Sequence, residues 1–111
     1  MRYMLLFLGL AAAPDATDTQ TAEYNQRWVD WMGALAAEGR LVAGGPLQPR
    51  GSVVSTGGAD ELRLERVDIG GFVLIEADSD EAANEIAGSP PHIELGGKTI
   101  VRPVVPQPAS A

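Results

Sequence analysis

One short apolar segment near the amino terminus limits the fold most strongly. The residues Tyr3-Met4-Leu5-Leu6-Phe7-Leu8 are apolar at every position, and Gly9 ends the run. Because successive side chains of a strand point to opposite faces, a strand formed here is apolar on both faces. Strands of that kind lie buried on both sides. We therefore expect a central β-strand with a layer of protein against each face.

The same segment shares features with a secretory signal peptide. Arg2 precedes the apolar run, and Ala11-Ala12-Ala13 follow it, as small residues do near a cleavage site. However, Arg2 is the only basic residue in front, and the run also suits a short buried strand. The strand is the preferred interpretation, and the segment is too short to span a bilayer.

Residues 20–38 have the pattern of an amphipathic helix. Large apolar side chains recur at helical spacing, namely Tyr24, Trp28, Trp31 and Leu35, and such a stripe packs against a core. Thr19 or Thr21 is expected to cap the first turn, and Gly39 to end the helix in the left-handed conformation.

The remaining segments complete an α+β domain. We expect strands at 41–43, 72–75 and 99–105, a hairpin with strands 53–56 and 62–67, and a helix that is capped by Asp78 and ends at Gly88. This order is that of a ferredoxin-like βαββαβ fold with an extra hairpin. Residues 1–105 are predicted to be a single domain, and 106–111 a flexible C-terminal tail.

The two helices of such a fold cover only one face of the sheet. Strands 3–8 and 72–75 are nevertheless apolar on both faces, and a large apolar face left open on a monomer is an association site. We therefore expect a homodimer in which two sheets pack face to face.

Charge and composition disfavour several classes of function. The net charge is −7, which repels phosphate backbones, so no nucleic-acid partner is expected. Cysteine is absent, which fits a reduced cytoplasmic location. With one histidine and scattered carboxylates we expect no metal site, and with no glycine-rich nucleotide motif we expect no cofactor. Gly44-Gly45 and Gly70-Gly71 are therefore interpreted as bulges or turns.

Several short motifs occur in the order found in one known family. They are Arg2-Tyr3-Met4-Leu5-Leu6-Phe7, Trp28-x-x-Trp31-x-x-x-Leu35, Gly44-Gly45-Pro46-Leu47, Gly70-Gly71-Phe72, Ala77-Asp78-Ser79-Asp80-Glu81-Ala82, Pro91-His92 and Ile100-Val101-Arg102-Pro103-Val104. Over nearly its whole length the chain thus resembles the YCII-related (DGPF) proteins. The resemblance implies a dimeric α+β barrel.

Two departures from that family bear on function. The Asp-Gly-Pro-Phe run is absent, and of it only Asp68 remains in the matching region. Some relatives have a His and Asp pair in their first half that has been proposed as catalytic. Here no histidine precedes His92, so that pair is not carried over.

His92 is the leading candidate for chemistry, because imidazole suits proton transfer near neutral pH. If it faces the barrel, then Glu76, Glu94 or Asp68 is a candidate to orient it. Arg102 is a candidate to hold an anionic substrate or a developing oxyanion. The alternative is a surface turn in which the imidazole only bonds a backbone carbonyl.

Substrate contacts are expected from Trp28 and Trp31, which are able to stack on an aromatic ligand, and from Glu76. Helical spacing is equally what a core stripe requires, so a purely structural role for both tryptophans stays open. Two functions also remain open. One is a small cofactor-free enzyme that acts on a small aromatic or anionic substrate, and the other is a non-catalytic dimeric ligand-binding or accessory module.

Overall fold

The computed structural model describes residues 1–9, 16–62 and 69–106. Its strands are β1 (Arg2–Leu8), β2 (Leu41–Pro46), β3 (Ser52–Ser55), β4 (Gly58–Glu61), β5 (Ile69–Glu76) and β6 (Lys98–Pro103). Its helices are α1 (Asp18–Ala37), α2 (Asp80–Ala87) and a 3-10 helix (Pro91–Leu95). Asp68 and residues 107–111 of the predicted tail lie outside the described ranges. No helix in those ranges combines the length and the apolar character needed to cross a membrane.

The main sheet has the ferredoxin-like order that the sequence predicts. Its strands follow the order β2-β5-β1-β6, and all three neighbouring pairs are antiparallel. The apolar amino-terminal segment forms β1, a central strand, as expected. Pro103 lies in β6 at the sheet edge, where the missing backbone N–H disturbs no inner ladder. The βαββαβ plan with an extra β3–β4 hairpin is thus confirmed.

Helices of the described chain pack against only one of the two faces of the sheet. On one face Tyr3, Leu5 and Phe7 are buried, and they pack with side chains of both α-helices. On the other side Met4, Leu6 and Leu8 are only half-buried, since the described part of the chain places no helix there. We call this second side the open face.

Both helix starts differ from the predicted ones. Thr17, rather than Thr19 or Thr21, caps α1, because its hydroxyl accepts from the Gln20 N–H while the Gln20 side chain accepts from the Thr17 N–H. This reciprocal pair is a capping box. Ser79, rather than Asp78, caps α2 by accepting from the Ala82 N–H at 3.1 Å.

The ends of both helices agree with the prediction. Gly39 follows α1 with a φ of 72°, which is the left-handed conformation that glycine adopts at low cost. Gly88 is the residue at which α2 stops.

Strand β2 and the hairpin correct two sequence predictions. β2 does not break at the double glycine but continues through it to Pro46. A Cβ at Gly44 would lie 2.7 Å from the Phe72 carbonyl oxygen, so glycine permits the close approach of β2 to β5. In the hairpin, Ser55 pairs with Gly58, so β4 pairs with β3 within the segment 57–60 that was predicted as the turn, and Leu62 follows this strand. Residues 63–67 lie outside the described ranges.

Tyr3 connects the sheet to the first turn of α2. Its hydroxyl donates to the Asp80 carboxylate at 2.7 Å. That hydrogen bond, followed by burial and the charges of Asp80 and Glu81, raises the pKa of Tyr3 above its ordinary value of 10.0. The stability gained from the neutral phenol is therefore present below the unfolded pKa and is lost as the pH rises through the higher folded pKa.

The chain contains two tyrosines, so the Tyr24→Phe variant reports Tyr3 alone. We expect its ultraviolet phenolate titration to have a midpoint above 10.0. Adding Asp80→Asn removes the negative acceptor and should lower that midpoint. An identical midpoint with and without Asp80→Asn would contradict this interpretation.

Candidate functional site

A cleft of about 410 Å³ opens at one end of the sheet. It lies where β1 and β2 end and β5 begins, with α1 above it and the 3-10 helix at its side. The helical wall contains Tyr24, Trp28, Val29 and Met32. Phe7 and Gly71 are among the residues of the sheet wall, and His92 reaches the cleft from the 3-10 helix. The lining is therefore mainly apolar and aromatic.

The double glycines of β2 and β5 give the cleft its room. Gly45, Gly70 and Gly71 line it, and no side chain projects from these positions. At Gly71 a Cβ would lie 3.2 Å from the Gly45 carbonyl oxygen, which is tighter than an ordinary contact. These glycines thus allow close strand packing and leave space beneath α1.

His92 is buried, with 3% of its surface exposed. Its ring is stacked on Trp28 with a centroid distance of 5.3 Å and an interplanar angle of 27°. It also meets Phe7 edge-on at 5.1 Å. The alternative of a surface turn is therefore wrong about exposure, although it is right that the imidazole bonds a backbone carbonyl.

The Lys98 carbonyl determines which ring nitrogen of His92 carries the proton. His92 Nε2 lies 2.9 Å from the Lys98 carbonyl oxygen and 3.3 Å from Thr99 Oγ1. A carbonyl only accepts, so Nε2–H is the donor, and Nδ1 of the neutral ring then carries a lone pair. Nδ1 is buried and has no hydrogen-bond partner among the described residues. His92, a residue of the cleft wall, therefore has a proton-accepting atom, Nδ1, without a partner among the described residues.

Tyr24 provides a second buried polar atom without a partner. The residue is 7% exposed and lines the cleft, and its hydroxyl makes no hydrogen bond within the described ranges. The helical spacing predicts Tyr24 only as part of the core stripe of α1. The sequence signal for a site here is the hydroxyl within that apolar stripe, because a buried hydroxyl normally has a hydrogen-bond partner.

The structure separates the two predicted tryptophans. Trp28 lines the cleft and stacks on His92. Trp31 is absent from the described lining, and its indole N–H donates to Ser89 Oγ at 2.8 Å. Trp31 therefore connects α1 to the segment after α2.

Glu76 and Arg102 lie on the open face and do not approach His92. Glu76 Oε1 accepts from Arg2 Nε at 2.9 Å, and this hydrogen bond, together with the amino terminus, lowers the pKa of Glu76. Arg102 is exposed and opposite Met4 on β1. Because side chains alternate along a strand, Leu5 points toward the helices, whereas Glu76 and Arg102 point to the other side of the sheet.

The remaining predicted carboxylates do not enter the described site either. Glu94 is exposed and pairs with Arg27 at 2.7 Å on the outer surface. Asp68 lies outside the described residues. Within the described ranges there is also no cluster of three His, Cys, Asp or Glu side chains that could hold a metal ion.

Residues 1–107 match the YCII-related domain. The chain belongs to the YCII-related domain family. No curated protein matches its sequence. Among solved structures, it is similar to 5-chloro-2-hydroxyhydroquinone dehydrochlorinase from Burkholderia phenoliruptrix AC1100, in complex with 2,5-dihydroxybenzoquinone. The TM-score is 0.59 at 17% identity, and the match covers 96% of each chain. This likeness confirms the fold of the YCII-related domain.

The backbone at Gly97 packs so closely against His92 that no side chain fits between them. A Cβ at position 97 would lie 2.5 Å from His92 Cδ2 and 2.8 Å from the His92 carbonyl oxygen. We expect Gly97→Ala to displace the imidazole and to destabilise the domain by about 1–3 kcal/mol, as for overpacked sites. Chemical denaturation measures the stability, and the NMR signals of His92 and Trp28 report the displacement.

Gly33→Ala is the matched control for that substitution. Gly33 lies within α1 with open space around the added carbon, so alanine should stabilise by up to about 1 kcal/mol. A Gly97→Ala domain as stable as the wild type, with unchanged His92 signals, would contradict the packing described.

Proposed function

We propose that this YCII-related domain is a small cofactor-free enzyme that binds a small aromatic substrate in the cleft and uses His92 for proton transfer. The observation that carries the proposal is the unpartnered Nδ1 atom of a buried imidazole in the cleft wall. An imidazole is suited to accept and return a proton near neutral pH.

The surroundings of His92 support both stages of such a transfer. Nδ1 takes the proton from the substrate, and the Lys98 carbonyl accepts from Nε2–H throughout. The imidazolium formed in this way gains stability from that carbonyl and from the face of Trp28, since aromatic faces attract cations. Nδ1 then returns the proton to another atom of the substrate. His92 thus acts first as a base and then as an acid.

An aromatic substrate is favoured over an anionic one. Phe7, Tyr24 and Trp28 present rings to the cleft, whereas Arg102, the predicted anion contact, lies on the open face. The dehydrochlorinase of similar fold was solved with 2,5-dihydroxybenzoquinone, a flat six-membered ring. That likeness concerns the fold, so it supports the substrate class only by analogy.

A matched pair of variants tests the role of His92. His92→Gln keeps an N–H group for the Lys98 carbonyl but removes the basic nitrogen, and Glu94→Gln alters an exposed neighbour on the same 3-10 helix. The full chain is incubated in D2O with 5-chloro-2-hydroxyhydroquinone and with hydroquinone, resorcinol and catechol. NMR follows deuterium exchange at ring carbons, and a chloride electrode follows elimination.

We expect catalysis of at least one of these proton transfers, with a rate at least about 100-fold lower in His92→Gln. Glu94→Gln should match the wild type. Equal rates in His92→Gln and wild type would refute the assigned role. If the wild-type chain binds a ring but accelerates none of these reactions, the alternative holds, and the domain is a ligand-binding or accessory module.

We also propose that the domain is a homodimer whose two open faces pack together. Besides Met4, Leu6 and Leu8, this face carries Leu74 and Ile100, and Ile100 is 38% exposed. Apolar area of this kind is removed from water when a second sheet covers it. The cytoplasmic location expected from the cysteine-free sequence stays a prediction as well.

Sedimentation velocity tests the homodimer. Leu6→Arg places a charge at the centre of the open face and should convert a dimer to a folded monomer at micromolar concentration, with circular dichroism as the folding check. Ala34→Arg, at an exposed position of α1 on the opposite side, should leave the dimer intact. A monomeric wild-type chain would rule out this assembly.

A further inference from the structure

Two buried polar atoms belong to residues that line the mainly apolar cleft. His92 Nδ1 and the Tyr24 hydroxyl are both buried, and neither has a hydrogen-bond partner among the described residues. An unpaired buried polar group costs free energy unless something else satisfies it. The two residues belong to different elements, the 3-10 helix and α1, yet both line the same cleft. A shared ligand would satisfy both atoms at once.

The two atoms have complementary chemistry. The lone pair on Nδ1 accepts only, so it calls for a hydroxyl or N–H donor on the ligand. A phenolic hydroxyl both donates and accepts, so Tyr24 is suited to a hydroxyl or to a carbonyl oxygen. The rings of Tyr24 and His92 both lie against Trp28, at centroid distances of 6.5 Å and 5.3 Å. The aromatic surface between them suits a flat ring.

We infer that the cleft recognises a small aromatic ring with two oxygen substituents, one of which donates to His92 Nδ1 while the other hydrogen-bonds to the Tyr24 hydroxyl. The inference rests on the proposed function, because it takes the cleft to be the ligand site. It makes Tyr24 a specificity-determining residue that separates dihydroxylated rings from those with one hydroxyl. Neither polar atom is exposed to solvent, so the cleft-lining side chains must shift as the ligand enters.

Binding measured by NMR titration of the full-length chain tests the inference without requiring turnover. The probes are hydroquinone, resorcinol and catechol, with phenol as the one-oxygen ligand and toluene as the ligand without oxygen. Tyr24→Phe removes one oxygen atom and keeps the ring. Tyr3→Phe is the control, since that hydroxyl lies outside the cleft and bonds Asp80.

We expect the wild type to bind at least one dihydroxybenzene more tightly than phenol. Tyr24→Phe should weaken that ligand about three- to tenfold, which corresponds to one neutral hydrogen bond, while phenol and toluene bind as before. Tyr3→Phe should bind all five probes like the wild type. An unchanged preference in Tyr24→Phe would overturn the inference, and so would an equal loss for all probes, because the residue would then only support the cleft.

The outcome is separable from that of the proposed function. If His92→Gln loses turnover while Tyr24→Phe keeps the dihydroxybenzene preference, only the two-oxygen inference fails. If Tyr24→Phe loses that preference while the wild-type chain catalyses no proton transfer, the recognition stands and only the enzymatic role fails. If the wild type binds none of the five probes, the inference is overturned.

Discussion

The packing of Phe7 joins the three parts of the domain on which the cleft depends. Its ring lies 5.0 Å from Trp28 of α1 and 5.1 Å from His92 of the 3-10 helix, while the residue itself ends the buried row of β1. Burying a phenylalanine contributes about 1.5–3 kcal/mol, and each well-placed aromatic pair adds about 0.5–1.5 kcal/mol. Sheet, helix and imidazole are therefore held together by contacts of one side chain.

Backbone contacts then determine what the imidazole can do. Gly97 allows the chain to pass directly beneath the ring, and the next residue, Lys98, presents its carbonyl oxygen to Nε2. Since this acceptor fixes the tautomer, Nδ1 is left as the basic atom. The first residue of β6 thus supplies the orientation that a carboxylate supplies in many other sites.

Much of the fold follows from patterns in the sequence. The apolar segment at 3–8 predicts a central strand, the stripe from Tyr24 to Leu35 predicts α1, and the order of elements predicts the ferredoxin-like sheet. The exact start of α1 is not evident from the sequence because Thr17, Thr19 and Thr21 are all competent caps. The Gln20 side chain selects Thr17 by accepting from its backbone N–H. The turn predicted at 57–60 was wrong because Gly58 and Asp60 are usually turn residues, whereas here they pair with β3.

The candidate site was less predictable, because it depends on which face each strand presents. The chemistry of imidazole and indole predicts His92 and Trp28 as site residues, and both lie in the cleft wall. Glu76 and Arg102 have equally suitable side chains, but strand alternation places them on the open face, where Glu76 pairs with Arg2. The sequence does not identify Tyr24 as a cleft residue, because the apolar stripe of α1 explains its position but not its hydroxyl.

The hydrogen bond to the Lys98 carbonyl places the proton of the neutral His92 ring on Nε2 and leaves Nδ1 without a partner among the described residues. Because the chain has a single histidine, the nitrogen-15 NMR spectrum of its neutral imidazole reports this directly. This tautomer predicts an Nε2 signal coupled to its own hydrogen, and an Nδ1 signal with the shift of an unprotonated ring nitrogen that moves when an aromatic ligand binds. A neutral ring with the proton on Nδ1 would contradict it.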